Sequence, residues 1–112
     1  AHTALAMETE RVRVGSLVYC AGYRHPAVLA NAITTIDHLS GGRVELSFAS
    51  GWHANDFALM PQNYQDRRDL MQSGIETIRR LWSGEPVAVT NGHGETIQVR
   101  SYPPPLQARP PF

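Results

Sequence analysis

Lysine is absent from this chain of 112 residues, so ten arginines alone balance ten acidic residues and the formal charge is zero. That balance leaves no electrostatic footprint for nucleic acid or for an anionic membrane surface. Cysteine is nearly missing: Cys20 stands alone, which excludes an internal disulfide and agrees with a reducing, cytoplasmic compartment. Long hydrophobic runs are missing too. The longest, residues 14–21, is interrupted by Gly15, Ser16 and Tyr19, which excludes a membrane-spanning helix there. The first ten residues hold Glu8 and Glu10 and no arginine, so the basic start of a signal peptide is not expected. His2, His25, His38, His53 and His93 show no metal-ligand spacing, and no metal site is expected. The stretch Asn91-Gly92-His93-Gly94-Glu95-Thr96 is glycine-rich but lacks the Gly-Lys-Ser/Thr ending of a phosphate loop, so it reads as a turn.

What is present is alternation and periodicity. Arg11 to Val14 alternates and Gly15 to Cys20 is nearly continuously apolar, which predicts a strand entering a sheet covered on both faces. Pro26 opens a helix to Ser40, with His25 an indifferent cap. Val28, Leu29, Ala32, Ile33, Ile36 and Leu39 form its apolar face, and Gly41-Gly42 ends it. Residues 43–49 alternate as a second strand, and residues 50–57 form a polar-aromatic segment leaving it. A second helix runs from about Gln65 to Trp82 on Leu70, Gly74, Ile78 and Trp82, with arginines on its solvated side. Residues 87–89 and 96–99 flank a hairpin turn, and the prolines from Tyr102 onward predict an extended connector. Ala4 to Met7 reads like the last turn of a helix. The fold class is therefore α/β: about two βα units plus a hairpin. A closed (β/α)8 barrel needs about 250 residues, so residues 1–112 are expected to be a fragment of one larger domain.

Ligands of such sheets sit at the carboxyl ends of the strands. Two segments qualify, Cys20 to His25 and Ser50 to Asp56. Trp52 can stack on a flat ring, and Gly51 lets a backbone approach a ligand; the alternative is that Trp52 packs against the end of the sheet. Arg24 and His25 precede a helix N-terminus that favours an anion, or they serve only to cap and pack. Cys20 reads more simply as a buried small hydrophobe than as a nucleophile.

Four stretches in order, Arg11-Val12-Arg13-Val14-Gly15-Ser16, His25-Pro26, Asp37-His38-Leu39-Ser40-Gly41-Gly42-Arg43 and Ser50-Gly51-Trp52-His53-Ala54-Asn55-Asp56-Phe57, resemble the bacterial luciferase-like flavin monooxygenase family. The resemblance runs over essentially the whole chain. It implies a (β/α)8 barrel, usually dimeric, with residues 11–18 as third strand, 43–49 as fourth, and the hairpin near 86–99 inside an insertion. It also implies reduced FMN from a separate reductase, and oxygenation of a small organic or carrier-bound substrate. The run from Ala49 to Phe57, with Arg67-Arg68 after it, is similar to the subgroup of natural-product biosynthesis. Leu17 and Val18 match the pair beneath the flavin ring, often joined by a non-proline cis peptide. Ala49 falls where luciferase has a cysteine beside the flavin. Ser50 falls where it has an arginine on the FMN phosphate, so that charge must be met elsewhere. Gly51 and Trp52 match the backbone that wraps the cofactor. His25 and His53 are the catalytic candidates within the chain, which alone is expected to be inactive. Two alternatives stand beside this reading. One is the branch of the superfamily that transfers hydride with the deazaflavin F420. The other is a non-catalytic barrel fragment contributing only a homodimer surface, with helix 26–40 and its edge at Ala30 and Ala32 as the contact.

Overall fold

Two parallel strand pairs, with a helix after each strand, organise the residues described by the computed structural model: 2–60, 62–100 and 102–107. Helix α1 (His2–Glu8) leads into β1 (Val14–Gly15) and β2 (Tyr19–Cys20), then α2 (Pro26–Leu39). Strands β3 (Val44–Glu45) and β4 (Phe48–Ala49) follow, then α3 (Ala54–Leu59) and α4 (Arg67–Trp82). An antiparallel hairpin of β5 (Val87–Thr90) and β6 (Thr96–Val99) completes the order.

Neither strand is continuous, which corrects the expectation of unbroken strands over 11–18 and 43–49. β1 pairs with β3 as Val14↔Val44 and Gly15↔Glu45, and β2 pairs with β4 as Tyr19↔Phe48 and Cys20↔Ala49. Residues 16–18 separate the paired stretches on one side and only 46–47 on the other. The first strand therefore carries one extra residue, as in a bulge, and alternation along it is broken. The cis peptide Leu17–Val18 lies in this stretch, as the family resemblance implies. The ladder resumes where Tyr19 N–H donates to Ser47 O at 2.8 Å. Before the bulge the strands approach so closely that a Cβ on Gly15 would lie 2.5 Å from Glu45 O.

The core joins α2, α4 and the strands through Leu29, Ile33, Val44, Leu46, Ile78 and Trp82. The buried face of α2 is rotated from the one its apolar residues predict. Leu29, Ala30, Ile33, Thr34 and Asp37 are buried, whereas Val28 and Leu39 are exposed. Polar partners explain the rotation. Trp82 Nε1 donates to Thr34 Oγ1 at 3.0 Å, and Asp37 accepts from Gln107. Ala30, expected on an outward edge, is 1% exposed and lies in the core. Helix α4 buries Gly74, Ile78 and Trp82 as its i+4 stripe predicts. The segment 50–57 was expected to be irregular, yet α3 forms within it, because buried Phe57 anchors so short a helix through tertiary contacts. The expected terminal stub is a helix of seven residues, His2–Glu8. The connector is non-helical over 102–107, and its continuation at 108–112 lies outside the described residues.

Candidate active site at the strand ends

Cys20 lies opposite Ala49, so the segments leaving β2 and β4 start from adjacent points. Ala21–Tyr23 tighten into a 3₁₀ turn, which carries Tyr23 across to donate to Asp56 Oδ2 at 2.7 Å. The other Asp56 oxygen faces His53 Nδ1 at 3.7 Å. Beneath this cluster Phe57 is fully buried, edge-on to Tyr23 and Tyr64 with ring centroids 6.3 Å and 5.4 Å away. The second loop is pressed onto the first at Gly51, whose φ is +87°. A Cβ there would lie 2.8 Å from Phe57 Cε2 and 2.9 Å from Cys20 Sγ, so the turn requires glycine. Tyr64 closes the loop by donating to Trp52 O at 3.1 Å.

The electrostatics follow from this contact. The hydrogen bond to Asp56, then burial and the electrostatic influence of Asp56 and the neighbouring Cys20, push the Tyr23 hydroxyl up to about 12. Tyr23 is thus a protonated donor at any ordinary pH. Tyr19, hydrogen-bonded to His2, is raised mainly by burial, against the opposing effects of Ser16 and Arg24.

The residues singled out in the sequence divide into two groups. Leu17, Val18 and Trp52 flank the paired strands with 93%, 44% and 82% of their surface exposed. Trp52 therefore does not pack against the end of the sheet; its ring stands edge-on to His53 at 5.2 Å. Ala49, Ser50 and Gly51 are half-buried beside it, and Ser50 lines a groove of about 610 Å³ with Arg68 and Arg79. His25 lies apart in role: its Nδ1 accepts from Ala27 N–H at 3.2 Å and caps α2, where an indifferent cap was expected. Cys20, expected to be buried, is half-buried against Gly51. Sequence reasoning placed Tyr23 and Asp56 in the two loops without joining them, because a contact across 33 residues leaves no periodic signal. Among the described residues no group of side chains could hold a metal ion, and no helix is long and apolar enough to cross a membrane.

Comparison with known proteins places this geometry. The family model described as luciferase-like monooxygenase matches residues 1–112. Over 107 residues the chain is 35% identical to the F420-dependent hydroxymycolic acid dehydrogenase of Mycobacterium tuberculosis, covering 93% of this chain and 30% of that protein. The crystal structure of the monooxygenase RslO1 from Streptomyces bottropensis superposes with a TM-score of 0.84 at 25% identity, covering 97% of this chain and 33% of that one. The oxygenating constituent of 3,6-diketocamphane monooxygenase from Pseudomonas putida, solved in complex with FMN, shares the fold with a TM-score of 0.80 at 17% identity. It covers 98% of this chain and 33% of that one. The chain thus spans about a third of the length of these relatives. Its two βα units and hairpin are a part of the luciferase-like (β/α)8 architecture. By its matched length and its fold, the chain belongs to the luciferase-like monooxygenase family.

Proposed function

We propose that this chain is part of a single (β/α)8 barrel domain and forms one wall of the flavin site of an FMN-dependent monooxygenase. The whole protein would oxygenate a small organic or carrier-bound substrate in secondary metabolism, with reduced FMN delivered by a separate reductase. The observation that carries this reading is the pairing of Cys20 with Ala49, which sets Leu17, Val18 and Trp52 beside adjacent strand ends whose loops are locked together by Tyr23 and Asp56. Apolar side chains held open at the ligand end of a sheet gain free energy when a flat, largely apolar ring covers them.

The residues fit such a ring. Leu17 and Val18 would form its floor, Trp52 would stack or shield an edge, and the backbone at Gly51 would approach closely because no side chain intervenes. Ala49 leaves room beside the ring, and the Ser50 hydroxyl offers one neutral hydrogen bond. The charge of a phosphate is met elsewhere in the complete barrel. Reduced flavin, when bound, supplies the electrons with which oxygen is activated for insertion into the substrate. The chain's own residues bind, orient and exclude water. A homodimer through barrel helices is part of the proposal. The outward edge of α2 at Val28 and Leu39, 60% and 47% exposed, is available for it.

A second reading, hydride transfer with F420, is supported by the 35% identity to an F420-dependent dehydrogenase. Titration of the full-length protein with reduced FMN and with F420, followed by oxygen uptake on substrate addition, separates the two. Tight binding of reduced FMN with substrate-dependent oxygen use supports the monooxygenase. F420 binding without oxygen uptake supports the dehydrogenase, and binding of neither leaves a non-catalytic barrel. The 112 residues alone are expected to be inactive.

A further inference from the structure

We infer that Asp56 and Tyr23 are positioning residues for His53, which acts as a proton acceptor and donor through Nε2 at the strand-end site. The inference rests on the flavin-site reading for the place of its action, but not for its geometry.

Asp56 is engaged on both oxygens. Oδ2 accepts a hydrogen bond from the Tyr23 hydroxyl at 2.7 Å, and Oδ1 faces His53 Nδ1 at 3.7 Å. At 3.7 Å the carboxylate is beyond hydrogen-bond distance, but its charge favours the tautomer with the proton on Nδ1 and leaves Nε2 as the accepting nitrogen. Nε2 of His53 has no hydrogen-bond partner among the described residues, and the side chain is 46% exposed. Trp52 stands edge-on to the ring, with centroids 5.2 Å apart.

Two contrasts single out this histidine. His25 spends its Nδ1 on capping α2, whereas His53, at the N-cap of α3, makes no side-chain cap bond. Its ring is therefore not needed to hold the backbone. Tyr23 in turn fixes the carboxylate from the opposite loop, since its hydroxyl remains a donor throughout the physiological range. The step is a proton transfer only. An N–H bond forms at Nε2 as the O–H or N–H bond of the bound donor breaks, and the proton leaves by exchange with water. No oxidation state changes.

The test is 15N NMR of His53 in the full-length protein without flavin, at a pH raised until its ring-nitrogen signals stop moving. The expected result is the Nδ1–H tautomer in the wild type, a shift toward Nε2–H in Asp56→Ala, and recovery in Asp56→Glu. Should Asp56→Ala not fold, Tyr23→Phe is expected to weaken the preference in part. With cofactor and substrate, His53→Gln is expected to lower kcat by roughly tenfold or more while KM changes little. A wild-type Nε2–H tautomer, or one unchanged in the variants, overturns the inference, as does an unchanged kcat. Because the tautomer is read without flavin, its failure is distinguishable from failure to bind the cofactor.

Discussion

Gln107 donates twice to Asp37, from its backbone N–H to Oδ2 at 2.9 Å and from its side-chain amide to Oδ1 at 2.7 Å. Asp37 is fully buried in the last turn of α2, so its carboxylate depends on these donors. The same amide reaches Val44 O at 2.9 Å, and Arg13 donates to Gln107 Oε1 at 3.0 Å. One side chain thus ties the connector to both the helix and the strand at the end opposite the candidate site.

Gln107→Ala removes the side-chain bonds to Asp37 Oδ1 and Val44 O; the backbone bond to Asp37 Oδ2 stays, Val44 O keeps Arg13 at 3.2 Å, and the buried Asp37 Oδ1 loses its Gln107 donor. We expect a loss of about 1–3 kcal/mol, read as a lowered denaturation midpoint of the full-length protein. An unchanged midpoint would show that water replaces the amide at no cost.

The raised hydroxyl of Tyr23 gives a pH signature. Its folded value, about 12, lies above the ordinary tyrosine value of 10.0, so the folded state holds this proton more tightly than the unfolded chain does. The contribution is complete below about pH 10 and is lost as pH rises from there through about 12. In Tyr23→Phe that decline is absent, so the gap between the two stability profiles narrows from about pH 10 to about pH 12. Parallel profiles across this window would sink the assignment.

Gly51→Ala places a methyl group 2.8 Å from Phe57 and 2.9 Å from Cys20, at a φ of +87°. Both the strain and the clash push the second loop off the first, at a cost of about 1–3 kcal/mol. If the proposed flavin site is right, loss of cofactor affinity is expected beyond the loss of stability, because the displaced loop carries Ser50 and Trp52. Calorimetric titration beside thermal melting separates the two effects, and wild-type affinity in a folded variant would place the cofactor elsewhere.

The helices were legible because their apolar residues repeat at the helical period and their ends carry proline and glycine. Three features were not. The bulge at 16–18 depends on register against residues 46–47, which no local pattern encodes. The rotation of α2 depends on Thr34 and Asp37 finding Trp82 and Gln107, partners about 50 and 70 residues away. Helix α3 is six residues long and presents one buried apolar side chain, too little for a periodic signal. At the candidate site the two loops were legible as strand ends. The link between Tyr23 and Asp56 that joins them is tertiary, and so invisible to spacing.

Trp52 separates binding from stability more cleanly than any other residue here. It is 82% exposed, so its removal deletes little buried surface, whereas the fully packed Trp82 donates to both Thr34 and Ala30. Trp52→Ala should therefore leave the unfolding free energy within about 0.5 kcal/mol of the wild type. If its ring meets the flavin, the same substitution should weaken binding of reduced flavin by more than about 1 kcal/mol, roughly fivefold, from lost stacking and burial. A flavin titration and a denaturant unfolding curve of the full-length variant read the two sides of that prediction. Weakened binding at unchanged stability is the outcome a packing residue could not produce. Unchanged binding would leave an exposed tryptophan facing some other ligand, with the substrate the next candidate to titrate.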